Sequence, residues 1–210
     1  MISKDEAIAL IEGRLEKPAR VIVALDGMSC SGKSTWAREL AEKFSGSVVH
    51  MDDFFLPRDR FTEEMQALPG GNMDRDRFRA EVLLPLAAGA DFAYSPFSCQ
   101  EQALLPDKVP VIGRLIVVEG AYALLPAWGQ YWDLALFLQV SVEEQQGRLL
   151  LRNGARGMVP FLTRWIPREE SYFAACDVRA RCDAIVDGEE YKTKPHNRRS
   201  FASLRLRNSS

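Results

Sequence analysis

Residues 20–36 constrain the fold more than any other stretch. A short β-branched run, "RVIVAL" at 20–25, leads into Gly27-Met28-Ser29-Cys30-Ser31-Gly32-Lys33-Ser34, and a helical pattern, "STWARELAEKF", follows. The middle segment fits G-x-x-x-x-G-K-[ST] in full, with a strand before it and a helix after it. Glycines let the backbone bend so that successive N–H groups point inward at phosphate oxygens, and the helix adds its positive N-terminal end. In such a cradle Lys33 neutralises the β and γ phosphates and the Ser34 hydroxyl binds Mg²⁺. The nucleotide-binding set is therefore Gly27, Met28, Ser29, Cys30, Ser31, Gly32, Lys33, Ser34 and Thr35. The alternative is a glycine-rich turn with an incidental lysine.

Four more short apolar runs recur along the chain: "SVVHM" (47–51), "RLIVVE" (114–119), "LALFL" (134–138) and "DAIVD" (183–187). Continuous rather than alternating, they read as strands buried on both faces. Helical patterns at about 3–16, 33–44, 75–88, 142–152 and 161–180 separate them. The fourth starts at Ser141 with Glu144 three residues on, the spacing of a capping box. The expectation is an α/β fold, three-layer α/β/α around a mainly parallel five-stranded sheet. Segments 54–74 and 90–113, rich in Pro, Gly and aromatics, interrupt the alternation beside strand ends where ligands usually bind.

At 210 residues, 47% apolar and 27% charged, the chain has the composition of one globular domain. Its N-terminal residues read as an amphipathic helix rather than a signal peptide, and no apolar run is long enough to span a bilayer. A soluble, cytoplasmic protein is expected, with no membrane partner. Cys30, Cys99, Cys176 and Cys182 form no C-x-x-C pair, and with two histidines there is no zinc spacing. Residues 192–210 hold six Lys/Arg and no acid, within a net charge of −2. They read as a flexible basic tail following a single domain at 1–191, with nucleic acid an unfavoured partner and a homo-oligomer left open.

Two acids follow the second strand in "HMDDFF", at the sheet edge onto which the phosphate cradle opens. A nucleoside triphosphate can serve a switch, a motor or a kinase, and a kinase alone needs a carboxylate to receive the acceptor hydroxyl's proton. In extended chain Asp52 and Asp53 point to opposite sides, so one would act as base and the other would cap or bind substrate, and parity does not choose. Glu119, ending "LIVVE", is the candidate to hold the metal or its water, or else to cap the following turn. No N-K-x-D tetrapeptide of the kind that reads guanine occurs.

The set "GMSCSGKS", "HMDDFFLP", "GGNMD" and "VVEGAY", spanning about 20–187, resembles the uridine kinase-like family of P-loop phosphotransferases, which includes nicotinamide riboside kinases and is related to phosphoribulokinases. The resemblance implies the P-loop NTPase fold with a helical lid near 152–165, and ATP with Mg²⁺ as cofactors. It places the base on Asp52 and an acceptor-binding acid on Asp74, which otherwise reads as a helix N-cap. It implies that lid arginines Arg152 and Arg156 close over the transferred phosphate; the alternative is a solvated basic helix end. At helical spacing the aromatics of "RWIPREESYF" read as core, with Arg164 or Tyr172 bordering the acceptor pocket as the alternative. Uridine-specific members read the base with a tyrosine and a histidine five positions later; here Tyr94 is followed by Cys99. The implied activity is transfer of a γ-phosphate to a hydroxyl of a small molecule, a nucleoside or related riboside, with a pantothenate-like alcohol or a non-catalytic nucleotide switch as rivals.

Overall fold

The computed structural model describes residues 1–66 and 68–189, so the expected basic tail lies outside the described residues. In chain order the strands are β1 (Val21–Gly27), β2 (Ser47–His50), the short β3 (Phe92–Tyr94), β4 (Phe97–Ser98), β5 (Ala103–Leu104) and β6 (Val109–Val111), then β7 (Leu115–Glu119), β8 (Leu134–Gln139) and β9 (Ala184–Asp187). The five expected strands are all present and form one parallel sheet in the order β2-β7-β1-β8-β9. β1 sits at its centre, so the loop after it opens where the connections part to either side. That is the crevice in which open parallel sheets bind ligands.

Two packed layers explain why these strands read as unbroken apolar runs. Val23, Leu25, Leu115, Val117, Leu134, Leu136 and Leu138 pack on one face against Ala7 and Ile11 of α1 (Lys4–Leu15) and Trp36, Ala37 and Leu40 of α2 (Lys33–Lys43). Ala24, Ile116, Val118, Ala135 and Phe137 face the other way, into Phe54, Phe78, Tyr94, Tyr172 and Phe173. With both faces covered, alternation has no polar side to show.

The two irregular segments hold the short elements. Residues 54–74 contain the one-turn α3 (Glu63–Gln66), and 90–113 contain two small antiparallel ladders, β3 with β6 and β4 with β5. The helix expected at 75–88 is present as α4 (Arg75–Phe78), a π-turn at Arg79–Leu83 and α5 (Leu84–Ala87).

The helix expected at 142–152 ends where the sequence puts it: within α6 (Val142–Pro160) two helical stretches meet at Gly154, whose φ of 68° and ψ of 171° are not helical. A π-turn at Phe161–Trp165 then joins it to α7 (Ile166–Ala175). Glycine alone adopts that backbone conformation freely, so the sequence break "RNGARG" ends one helical stretch and leads into the next. At the start of α6 the Ser141 hydroxyl accepts from the Glu144 N–H as the spacing predicts, but the Glu144 carboxylate turns to Arg148 at 2.6 Å.

Candidate active site

The phosphate loop is shaped by close packing and by backbone that a Cβ would strain. At Gly27 (φ 143°) an added Cβ would lie 2.2 Å from the Leu138 carbonyl oxygen of β8, so only glycine fits. Gly32 caps α2 in a left-handed conformation without any side-chain hydrogen bond, leaving the first N–H groups of that helix available to an anion. The Lys33 ammonium is folded onto the loop itself, donating to the Gly27 and Met28 carbonyls at 2.7 and 2.8 Å. The Ser31 hydroxyl is buried without a partner.

The loop is braced by chain far away in sequence. Arg148, 3% exposed, donates from behind to the carbonyls of Cys30, Ser31, Gly188 and Glu189, and Gln145 donates to Ser29 at 3.0 Å. From α7, Glu169 takes the Ser29 N–H at 3.0 Å and the Ser29 hydroxyl at 2.5 Å. Asp26, fully buried, accepts from the Gly27 and Leu124 N–H groups and, at 2.7 Å, from the Tyr172 hydroxyl. Burial raises the Asp26 carboxyl to about 6 despite those three donors and the nearby Lys33 charge.

The double acid lies on a 3₁₀ turn, Met51–Phe54, so the two carboxylates are not forced to opposite faces. Asp53 is taken: it accepts from the Tyr94 hydroxyl at 2.7 Å. Asp52 has no hydrogen-bond partner among the described residues, and its surroundings include Glu119, Lys33 and His50. Its side chain is open to solvent at the mouth yet sits deep among protein atoms; that desolvation, then the Glu119 charge, raises it to about 6. A carboxylate that is unpaired, near the phosphate loop and titrating close to neutrality has the properties of a general base.

Glu119 is held by His50, Nδ1 to Oε1 at 2.5 Å, as the register pairs the two residues across β2 and β7. Burial opposes charge on His50, but the bond and charge of Glu119 outweigh it and raise the imidazole above its ordinary value. Among the described residues no group of three His, Cys, Asp or Glu could hold a metal ion unaided. A magnesium ion at Ser34 and Glu119 would thus take its remaining ligands from phosphate and water, which is its usual habit. The uncapped helix end, the orphaned Ser31 hydroxyl and the self-bonded Lys33 fit a nucleotide triphosphate.

The remaining expected residues are dispersed. Asp74 caps α4 through the Arg77 N–H at 3.2 Å and also pairs with Arg60 at 3.3 Å, so the N-cap role is present beside whatever it offers an acceptor. Tyr94 is fully buried in the wall behind Asp53, and Tyr172 is buried with its hydroxyl on Asp26, so each reaches the site through an acid. Arg152 lies over the Phe161 ring, its charge felt at Cys30 in the loop; Arg164 lies over Trp165; both are exposed, as is Arg156. Cys99 is exposed, and burial raises its thiol.

Sequence reasoning missed Glu169, Asp26, His50 and Arg60. Asp26 had a signal, an acid closing an otherwise apolar buried strand. Glu169 had none, because only the folded chain brings α7 to the loop.

Fold and site together define a P-loop architecture, a parallel sheet with the glycine loop after its central strand. No protein-family model matches the chain. Its structural neighbours include a possible uridine kinase from Bacillus stearothermophilus, 19% identical over 88% of this chain and 98% of that one, with a TM-score of 0.64. A candidate fructose transport system kinase from Silicibacter sp. TM1040 is 25% identical over 85% of this chain and 97% of the other, with a TM-score of 0.63. No helix among the described residues is long and apolar enough to cross a membrane.

Proposed function

We propose that the protein is an ATP- and Mg²⁺-dependent kinase that phosphorylates a hydroxyl of a small molecule, a nucleoside or related riboside. The observation that carries this reading is Asp52, a free carboxylate raised to about 6 beside the phosphate loop, with its neighbour Asp53 already satisfied by Tyr94. A nucleotide switch has no use for such a group. The kinase names of both structural neighbours favour the same class.

When bound, ATP and Mg²⁺ supply the phosphoryl group and much of the charge neutralisation. Lys33 would leave the Gly27 and Met28 carbonyls for the phosphates, while Ser34 and Glu119 hold the metal or its waters. Asp52 accepts the acceptor hydroxyl's proton and aligns that oxygen for attack, and Asp74 accepts hydrogen bonds from neighbouring hydroxyls of the acceptor. Arg152 and Arg156 on the lid complete the charge field around the transferred group and exclude water. The acceptor class has one rival with an observation behind it, a sugar or other non-nucleoside alcohol. Cys99 stands where a pyrimidine-reading histidine would, and the Silicibacter neighbour carries a fructose-linked name.

The test is ADP release from ATP and Mg²⁺ against nucleosides, ribosides, sugars and small alcohols, with Asp52→Asn alongside. Acceptor-dependent release lost in the variant is expected. ATP binding with no acceptor raising turnover would overturn the kinase reading in favour of a switch.

A further inference from the structure

A small open cleft of about 40 Å³ carries an unbalanced charge on its walls. Phe61, Met65 and Asn72 of the irregular 54–74 segment form one side; Tyr122, Arg168 and Tyr172 form the other. It is linked to the glycine loop through α7, where Glu169, next to Arg168, accepts from Ser29. Tyr122 comes three residues after Glu119 and feels the charges of Glu169, Arg168, Asp26 and Asp52.

Arg168 is the polar feature of this pocket that the proposed reaction leaves unused. Its guanidinium lies over the Phe61 ring at 5.5 Å and the Trp165 ring at 5.7 Å, and donates to the neutral Gln66 amide oxygen at 3.1 Å. No ion pair forms to it among the described residues. Of the carboxylates next along α7, Glu169 is committed to Ser29 and Glu170 pairs with Arg179, while the charge of Arg164, another cation, acts on Arg168. A half-buried guanidinium that lies over two aromatic rings, with no ion pair among the described residues, is suited to a bidentate anion.

We propose that this pocket is the acceptor's second anchor and that Arg168 selects an acceptor bearing an anionic group, a phosphate or a carboxylate, away from the hydroxyl that is phosphorylated. The inference rests on the kinase reading and narrows it: sugar phosphates and hydroxy acids are preferred over neutral ribosides. Asp74 and Asp52 serve the hydroxyl end of the acceptor, Arg168 its charged end. The aromatic rings hold the guanidinium in plane while Gln66 occupies one donor edge, leaving the other for the ligand. Gln66 itself is neutral and gives way without leaving a buried charge.

The experiment separates this inference from the reading beneath it. Binding by calorimetry is measured for ribose 5-phosphate, ribose, gluconate and glucose, and the same four are assayed as acceptors by ADP release, with wild type, Arg168→Gln and Arg168→Lys. Phosphate and carboxylate arms distinguish the two sources of charge. Expected is a preference for the charged member of at least one pair that falls about 10- to 100-fold in Arg168→Gln, the loss typical of one charge-assisted contact. Arg168→Lys keeps part of it. Melting curves establish that both variants fold, and the lysine variant carries the comparison if the glutamine one does not. Equal or better binding of the neutral members, or a preference indifferent to both substitutions, overturns the anion subsite whatever the kinase assay shows. Arg168-dependent anion binding with no turnover of any acceptor would instead uphold the subsite and overturn the kinase reading.

Discussion

Replacing Tyr172 by phenylalanine removes one hydroxyl, and the structure sets what that should cost and how the cost should vary with pH. The hydroxyl donates at 2.7 Å to Asp26, a carboxyl with no exposed surface. Its two other donors, the Gly27 and Leu124 N–H groups, remain in place, and phenylalanine leaves no orphaned polar atom behind. A hydrogen bond to a charged acceptor contributes about 1.5–3 kcal/mol, one to a neutral acceptor about 0.5–1.5 kcal/mol. Burial raises the Asp26 carboxyl to about 6 in the folded protein from its ordinary 3.8. Because its folded value is raised, Asp26 itself favours the fold at low pH, a contribution complete below 3.8 and lost as pH rises through about 6. The Tyr172 bond resists that loss by favouring the ionised form. Tyr172→Phe should therefore lose about 2 kcal/mol at pH 8 and about 1 kcal/mol at pH 5, where the carboxyl is mostly protonated. For a chain of this size about 2 kcal/mol lowers Tm by about 4–8 °C. Urea denaturation at pH 5 and 8 measures both values. An equal loss at the two pH values would refute the coupling of α7 to an ionised Asp26, and a larger loss at pH 5 would reverse its sign.

Asp52→Asn should reduce turnover about 10² to 10⁴-fold with little change in ATP affinity, whereas Asp53→Asn should chiefly loosen Tyr94; a worse defect in the second would exchange their roles. The unliganded Asp52→Asn protein should also melt higher than wild type above pH 6, a gain that vanishes below pH 3.8, since the raised carboxyl costs stability only when ionised. Glu169→Gln keeps the shape of the Ser29 contact without its charge, so ATP should bind about fivefold more tightly by titration, the effect of roughly 1 kcal/mol of repulsion. Unchanged affinity would mean that Glu169 moves clear of the phosphates. Gly154→Ala meets no steric obstacle, as nothing lies within 4 Å of the added carbon, so its cost is purely conformational, about 1–3 kcal/mol. Hydrogen exchange across 152–165 would register that cost locally, and a neutral outcome would deny the bend at Gly154.

What sequence could and could not reveal follows the range of the interactions concerned. The five strands, the glycine loop and the helix after it were legible because strand burial and loop conformation are local demands on residue type. Val23 and Leu25 must be apolar for one layer and Ala24 for the other, which writes a continuous run. The helix end at "RNGARG" was legible as well, because Gly154 takes a backbone conformation that only glycine adopts freely. Asp52 and Asp53 could not be told apart until Tyr94, 41 residues from Asp53, was seen to claim one of them. Glu169, 140 residues from Ser29, and Tyr172, 146 residues from Asp26, left no periodic trace.

Those same separations bear on how the molecule comes into being. The residues of the glycine loop are contiguous at 27–34, but the groups that hold their backbone in shape come from α6 and α7. Contacts so distant along the chain form late, because the loop-closure entropy must be overcome before they contribute. During synthesis the nascent chain therefore carries the whole motif long before it carries a working cradle. A fragment ending after β8 would retain every residue of the nucleotide signature and lack the scaffold that makes it bind. Competence for a ligand at the loop becomes a report on completion of the fold, since a ligand bound there stabilises only chains whose α6 and α7 are in place.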